Sequence, residues 1–167
     1  MPEHRPLVNS TNWGRVKVPT TISVTPAISA AGIYAAGDAL GGLLTFANAA
    51  DSDYGSGVIQ ALVVIDNDQE MDGLELHLFN QAFTPTANNA PFDPTDADLE
   101  NWIGFLEVAA GDYADLNDNS AAILRNQNLP FNLVSGGTSL FGQLVTRATP
   151  TYTAVDDIIV KLIIQQD

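Results

Sequence analysis

The side chains that most often carry out acid–base and metal chemistry are scarce in this chain. It contains no cysteine and two histidines, His4 and His77. A Ser-His-Asp arrangement needs a histidine held between a nucleophile and a carboxylate. A histidine-rich metal site needs several imidazoles, and a thiolate site needs cysteines. We therefore expect no catalytic residue, no cofactor and no bound metal.

One histidine has a carboxylate neighbour on the same strand face. Leu74–Leu78 alternates apolar and polar residues, a pattern typical of a half-buried strand. The three leucines then face a core, while Glu75 and His77 face outward as a same-face pair. The sequence indicates an exposed sheet histidine at this position.

A glutamate inside another predicted strand is the strongest candidate for carboxylate chemistry. Glu107 shares a strand face with Ile103 and Phe105 if the alternation is regular. A buried glutamate has a raised pKa and can act as the acid of a carboxylate pair in glycoside hydrolysis. The alternative is a glutamate at the sheet edge or paired with Arg125 or Arg147. A hydrolase is thus an alternative, but we expect no enzyme.

Two acidic stretches invite comparison with calcium loops. In Asp66–Gly73, the sixth position is Met71 and the twelfth is His77, whereas an EF-hand loop has glycine and glutamate there. We interpret the stretch as an acidic hairpin loop, with weak divalent-cation binding as the alternative. In Asp93–Asp98, Thr95 is placed as a helix N-cap, and an oxygen-ligand cation site is the alternative.

The charge distribution limits the classes of partner. The 167 residues carry a net charge of −14. Residues 1–20 contain three basic residues and one acidic residue, Glu3, and therefore carry a charge of about +2. The remainder of the chain carries about −16. An acidic body repels phosphate backbones and anionic membranes. The N-terminus lacks the apolar region of a signal peptide, and the longest apolar run, Ile158–Ile164, contains Lys161 and is too short to cross a bilayer. We expect no nucleic-acid or membrane partner.

The first 20 residues differ from the rest. They contain three prolines and many polar residues, which cannot bury a core by themselves. We therefore predict an extended N-terminal arm over residues 1–20 and a single domain over residues 21–167. Trp13 in the arm either packs on its own domain or anchors the arm on a neighbouring subunit.

The remainder is rich in strand signals and poor in helix signals. Period-two runs bounded by Gly, Asn, Asp and Pro predict eight strands, at Thr21–Thr25, Gly42–Phe46, Val58–Asp66, Leu74–Phe79, Trp102–Val108, Ala121–Arg125, Leu140–Arg147 and Asp157–Ile164. Short helical turns are expected at Thr95–Glu100 and Gly111–Leu116. The pattern predicts an all-β, jelly-roll-like β-sandwich. Val58–Ile65 and Ile158–Ile164 are apolar on both faces, so their second face requires a cover.

Four phrases in this order resemble small virion proteins of tailed bacteriophages and cyanophages: Tyr34–Gly42, Leu76–Phe79, Phe92–Leu99 and Thr149–Tyr152. Some members of that group are capsid cement, or decoration, proteins with a jelly-roll body. The likeness extends over about residues 30–165 and includes no catalytic residue. It implies a non-enzymatic virion structural protein on the outer surface of the capsid, with the major capsid protein as its partner.

The resemblance and the charge pattern together suggest where such a protein makes contact. An arm can add backbone hydrogen bonds to a neighbour, and cations steer it to acidic patches. We therefore expect capsid contacts from Arg5, Trp13, Arg15 and Lys17. A homo-oligomer, dimer or trimer, is expected to form through Ile159, Lys161 and Ile163. The alternative function is a receptor- or glycan-binding head of a fibre or another tail or neck protein, with sugars stacking on Trp102, Tyr54 or Tyr113.

Overall fold

The structure, a computed structural model, describes residues 17–134 and 136–167. These residues form nine β-strands, one short α-helix and one 3₁₀ turn at Ala110–Asp112. The strands are β1 Thr20–Val24, β2 Ala39–Phe46, β3 Ser56–Asp66, β4 Leu74–Phe79, β5 Trp102–Val108, β6 Tyr113–Asp115, β7 Ser120–Asn132, β8 Leu140–Thr146 and β9 Ile158–Gln166, and the helix is α1 Asp96–Leu99.

The strands form two antiparallel sheets packed face to face. One sheet has five strands in the order β1-β9-β3-β7-β6, and the other has four in the order β2-β8-β4-β5. β1 pairs with β9, β2 with β8, β3 with β7 and β4 with β5. Early strands thus pair with late strands, as they do when one long hairpin is rolled into two sheets. This pairing defines the jelly roll. The predicted fold class is confirmed, and β6 is an additional edge strand.

The core lies between the two sheets and is built by strand alternation. Leu62 and Leu162 project into it from the five-stranded sheet, and Leu76 and Leu144 meet them from the other sheet, each about 1% exposed or less. Burial of a leucine side chain contributes about 2 kcal/mol. The register is therefore fixed, because a one-residue slip would move these leucines to the surface.

Two local predictions are wrong. The acidic loop after β3 is not a hairpin, because β3 pairs with β7 and β9 while β4 pairs with β5 and β8. The loop instead crosses from one sheet to the other. Residues 111–116 are not a helical turn, because the 3₁₀ turn ends at Asp112 and β6 follows it. Burial of the Tyr113 ring favours the extended conformation there.

The short helix agrees closely with the sequence prediction. The Thr95 side chain accepts a hydrogen bond from the Asp98 backbone N–H at 3.2 Å, so Thr95 is the N-cap of α1. Thr20, the last residue of the predicted arm, already pairs with Ile164 in the β1–β9 ladder. Thr20 therefore belongs to the sheet, whereas residues 1–16 of the predicted arm lie outside the described residues.

A long connection between β4 and β5 covers part of the four-stranded sheet. Gln143 is fully buried, accepts a hydrogen bond from the Thr86 N–H at 3.0 Å and donates to the Thr86 carbonyl at 2.6 Å. Phe83 stacks on Phe79 with ring centroids 3.9 Å apart. The connection thereby covers the outward side of β8 and part of β4, and it carries Phe92 to the site described below.

Candidate functional site

The outward side of the five-stranded sheet presents a regular grid of nine side chains. In the strand register, Val63 of β3 lies between Lys161 of β9 and Ile123 of β7. One further row of three residues lies on each side of this row along the strands. We call this grid the outer face, and its rows are Ile159–Ile65–Ala121, Lys161–Val63–Ile123 and Ile163–Ala61–Arg125. Ile123 is 42% exposed, and most of the other side chains are half-buried.

The outer face differs in charge from the rest of the protein. Seven of its nine residues are apolar, two are cations and none is acidic. Lys161 and Arg125 are two of the four basic residues between positions 17 and 167. Contiguous apolar patches often mark interaction surfaces, so the outer face is a candidate for one. If such a contact buried Lys161 and Arg125, the two cations would need carboxylates as partners, because a buried cation without a partner is costly.

The three residues predicted to form an oligomer face lie side by side here. Ile159, Lys161 and Ile163 form the β9 column of the outer face and are each half-buried. The structure therefore brings these three residues together on one surface. Their role in contacts between copies of the chain stays a prediction.

The predicted arm contacts fall largely outside the described residues. Arg5, Trp13 and Arg15 lie outside residues 17–134 and 136–167. The Lys17 Nζ lies 2.5 Å from an Asp51 carboxylate oxygen of the same domain, and both side chains are more than 40% exposed. An exposed ion pair of this kind contributes about 0.2–1 kcal/mol, so a partner's carboxylate can replace Asp51. The capsid contacts of all four residues stay predictions.

The opposite sheet carries four neighbouring aromatic rings on its outward side. We call His77, Phe92, Trp102 and Phe105 the aromatic cluster. The His77 ring centroid lies 4.5 Å from that of Phe92, 5.5 Å from that of Phe105 and 6.2 Å from that of Trp102. The Trp102 and Phe105 rings are nearly parallel, with 16° between their planes, and are 40% and 44% exposed. The cluster therefore presents aromatic surface to solvent.

A β-bulge in β5 brings two of these rings together. Leu78 pairs with Gly104 and Phe79 with Trp102, so Ile103 has no partner of its own on β4. Gly104 has φ of +136°, a backbone conformation that favours glycine. Ile103 packs against the core. The expectation that Ile103 shares a face with Phe105 is wrong, because the bulge interrupts the alternation and Trp102 joins that face instead.

An ion-pair network borders the aromatic cluster. The Glu75 carboxylate lies 2.9 Å from His77 Nε2 and also bonds the Arg147 guanidinium. Hydrogen bonding from Arg147 lowers the pKa of Glu75 despite burial, whereas burial lowers the pKa of His77. The His77 side chain is only 13% exposed, so the prediction of an exposed histidine is wrong. The neighbouring rings and the covering connection bury it.

The glutamate suggested for hydrolysis is not buried. Glu107 is exposed and lies opposite Glu75 in the β4–β5 register. Its charge helps to raise the pKa of Arg147, after the larger effect of the Glu75 hydrogen bond. Glu107 therefore faces the network as a solvated carboxylate at the edge of the aromatic cluster.

The acidic loop between β3 and β4 is held by its own carboxylates. Asp66 accepts hydrogen bonds from the Met71 N–H at 2.8 Å and the Asp68 N–H at 3.0 Å. Asp68 in turn accepts from the Thr153 N–H at 2.9 Å. In residues 17–134 and 136–167, no group of three or more His, Asp or Glu side chains is arranged to hold a metal ion. The contacts of this loop are structural.

One of the three aromatic residues suggested for sugar stacking, Tyr113, is buried. Tyr113 is 8% exposed, and its hydroxyl is buried without a hydrogen-bond partner in the described part of the chain. Burial strongly raises the pKa of this hydroxyl, to which the Asp66 and Asp72 charges add. The expectation of an exposed Tyr113 is wrong, because its ring fills the core beneath β6. Tyr54 and Trp102 are exposed as expected.

Comparison with known proteins adds no family assignment. The chain matches no protein-family model, no curated protein and no solved structure. Within the described residues, none of the helices is long and apolar enough to cross a membrane.

Proposed function

We propose that the chain is a non-enzymatic virion structural protein that binds the outside of a phage capsid and stabilises the shell. Three features support this cement function. The resemblance in residues 30–165 is to head proteins of tailed phages, some of which have a jelly-roll body, and this chain has that strand pairing. The basic N-terminal segment suits contact with an acidic shell. The outer face provides a docking surface of suitable chemistry.

The outer face is the observation that carries the proposal. It is largely apolar and cationic on a protein whose net charge is −14. Its occupant is a shell surface that offers apolar side chains around Lys161 and carboxylates to pair with Lys161 and Arg125. Pairing within a desolvated contact fixes the orientation of the docked protein, while the apolar residues supply most of the binding free energy.

A second copy bound through the same face fits less well. Any face-to-face dimer would bring two copies each of Lys161 and Arg125 into the interface, and the eighteen grid residues would contribute no carboxylate. Desolvating four cations without partners costs several kcal/mol. A copy that docks through a different, acidic surface avoids this cost, and it is the second possible occupant.

Co-sedimentation with expanded capsids that lack this protein tests the proposal. Saturable binding with a fixed number of copies per shell supports the cement function, and no binding contradicts it. Lys161→Glu should weaken binding more than Lys161→Gln, because the reversed charge meets the shell's carboxylates. Sedimentation velocity of the same variants distinguishes a shell surface from a second copy of the chain as the occupant of the outer face. Loss of self-association with unchanged capsid binding would assign the face to a second copy.

A receptor- or glycan-binding head of a fibre, or of another tail or neck structure, is the second candidate. The exposed Trp102 and Phe105 rings favour it, because an exposed aromatic pair is a common platform for binding. Binding to a glycan array with no binding to capsids would support this candidate. Capsid binding at fixed stoichiometry would support the cement function.

A further inference from the structure

We infer that the aromatic cluster is a binding site for the pyranose ring of a saccharide, with Trp102 and Phe105 as its stacking platform. The inference deepens the glycan-binding candidate, but it holds equally for a cement protein. The reason is that the cluster lies on the four-stranded sheet and the outer face lies on the five-stranded sheet. The sheet that does not dock on a shell is free to bind a ligand in solution.

The bulge in β5 is the first supporting observation. Residues three apart in a regular strand point to opposite faces. Trp102 and Phe105 point to the same side because the chain inserts one extra residue at Ile103 and Gly104. The cost is a large indole left 40% exposed, where burial would stabilise the fold. Bulges that redirect side chains in this way are concentrated next to functional sites.

The ring geometry is the second observation. The Trp102 and Phe105 centroids lie 6.3 Å apart with nearly parallel planes, the His77 ring neighbours both, and Phe92 packs on His77. Carbon-bound hydrogens on one face of a pyranose pack on aromatic surface of this kind. The two rings have few rotatable bonds, and their neighbours hold them, so little conformational entropy is lost on binding.

Polar groups beside the rings suit the hydroxyls of a stacked sugar. Glu107 follows Phe105 by two positions on the same side of β5, about 7 Å along the strand, and its carboxylate is exposed. The Arg147 side chain is 46% exposed and is fixed by Glu75. Glu107 accepts hydrogen bonds from hydroxyls and Arg147 donates to ring or hydroxyl oxygens. A few polar groups around an apolar platform are typical of small-ligand sites.

Intrinsic tryptophan fluorescence and amide NMR of the full-length protein test the site. Trp13→Phe leaves Trp102 as the single tryptophan, since the chain has two. The probes are methyl α-D-mannopyranoside, methyl β-D-galactopyranoside, methyl β-D-glucopyranoside and N-acetylglucosamine, titrated to tens of millimolar. At least one should shift the Trp102 emission and the amide signals of Phe105 and Glu107, with a Kd of about 1–10 mM or tighter.

Variants separate this site from non-specific contact. Trp102→Ala and Phe105→Ala should each weaken binding by at least about tenfold, a loss of about 1.4 kcal/mol. Glu107→Gln, which keeps the platform, should weaken binding by less than either alanine substitution. Tyr54→Ala removes an exposed aromatic ring elsewhere and should leave binding unchanged. The inference is overturned if none of the four sugars binds, or if Trp102→Ala and Phe105→Ala bind as the parent does.

Discussion

The side chains of Trp102 and Phe105 lie on the same side of β5 although they are three residues apart. Their ring centroids are 6.3 Å apart. The glycine between them has φ of +136°, and the β4–β5 register shifts at this point. The backbone of Gly104 is thus the element that brings Trp102 and Phe105 to one side of β5, and its conformational freedom can be tested directly.

Gly104→Ala should lower the free energy of unfolding by about 1–3 kcal/mol, because alanine is strained at this positive φ. The added Cβ itself meets only Leu129 at 3.6 Å, an ordinary contact, so the effect comes from the backbone. Gly111→Ala is the matched control, since nothing lies within 4 Å of its Cβ, and it should change stability by about 0.5 kcal/mol or less. Chemical denaturation measures both variants. Equal stability of the two would contradict the strain assigned to Gly104.

Arg147→Gln should destabilise the protein by about 1–2 kcal/mol at pH 7. The substitution leaves the Glu75 carboxylate, whose side chain is 11% exposed, without its cation. Glu75→Gln together with Arg147→Gln should recover part of the loss, because no unpaired charge then remains. Arg125→Gln, an exposed cation on the outer face, is the control and should be nearly neutral. A double variant no more stable than Arg147→Gln alone would refute the pairing.

The stability should fall with acidification in a His77-dependent way. Burial lowers the pKa of His77 in the folded protein, so the unfolded chain binds the proton more tightly. Protonation therefore favours unfolding as the pH falls below about 6.5, the unperturbed value. Between about pH 7 and pH 5, the parent should therefore lose stability relative to His77→Gln. Urea denaturation at several pH values checks this, and a constant difference would count against burial of a neutral His77.

Removal of residues 1–16 should leave a folded domain with weaker capsid binding. The truncation stops short of Thr20, which pairs with Ile164, so the β1–β9 ladder is kept. Because the removed segment carries Arg5 and Arg15, binding of the truncated form should depend less on salt than binding of the full chain. Thermal unfolding monitors the fold, and co-sedimentation at two salt concentrations monitors binding. Unchanged binding by the truncated form would exclude a role for the arm.

The sequence predicts the strands well because their alternation is clear and their ends are marked. β4 and β5 have the predicted bounds, at Leu74–Phe79 and Trp102–Val108. β7 extends beyond the predicted Arg125 to Asn132. The sequence misses this extension because Asn126, Asn128 and Pro130 give the signals of a loop. In the structure the two asparagines adopt left-handed conformations inside a bulge of the strand.

The functional surfaces are harder to predict, since they depend on register between distant segments. Glu75 and Arg147 are 72 residues apart and meet only because β4 pairs with β8. The outer face requires the pairing of β3 with both β7 and β9, whereas the sequence showed only that β3 and β9 have two apolar faces. The aromatic cluster depends on a bulge that regular alternation conceals. Gly104 was the available signal, because a glycine within a strand often marks a bulge.

Capsid binding by a variant with a changed outer face tests the central claim most directly. Ile123→Asp places a carboxylate at the most exposed apolar position of the outer face, and Val155→Asp places one at an exposed apolar position in a loop outside the grid. Both proteins should fold, as judged by circular dichroism. The account predicts that Ile123→Asp no longer co-sediments with expanded capsids while Val155→Asp binds with the parent's stoichiometry. Binding of Ile123→Asp with unchanged affinity and copy number would contradict it.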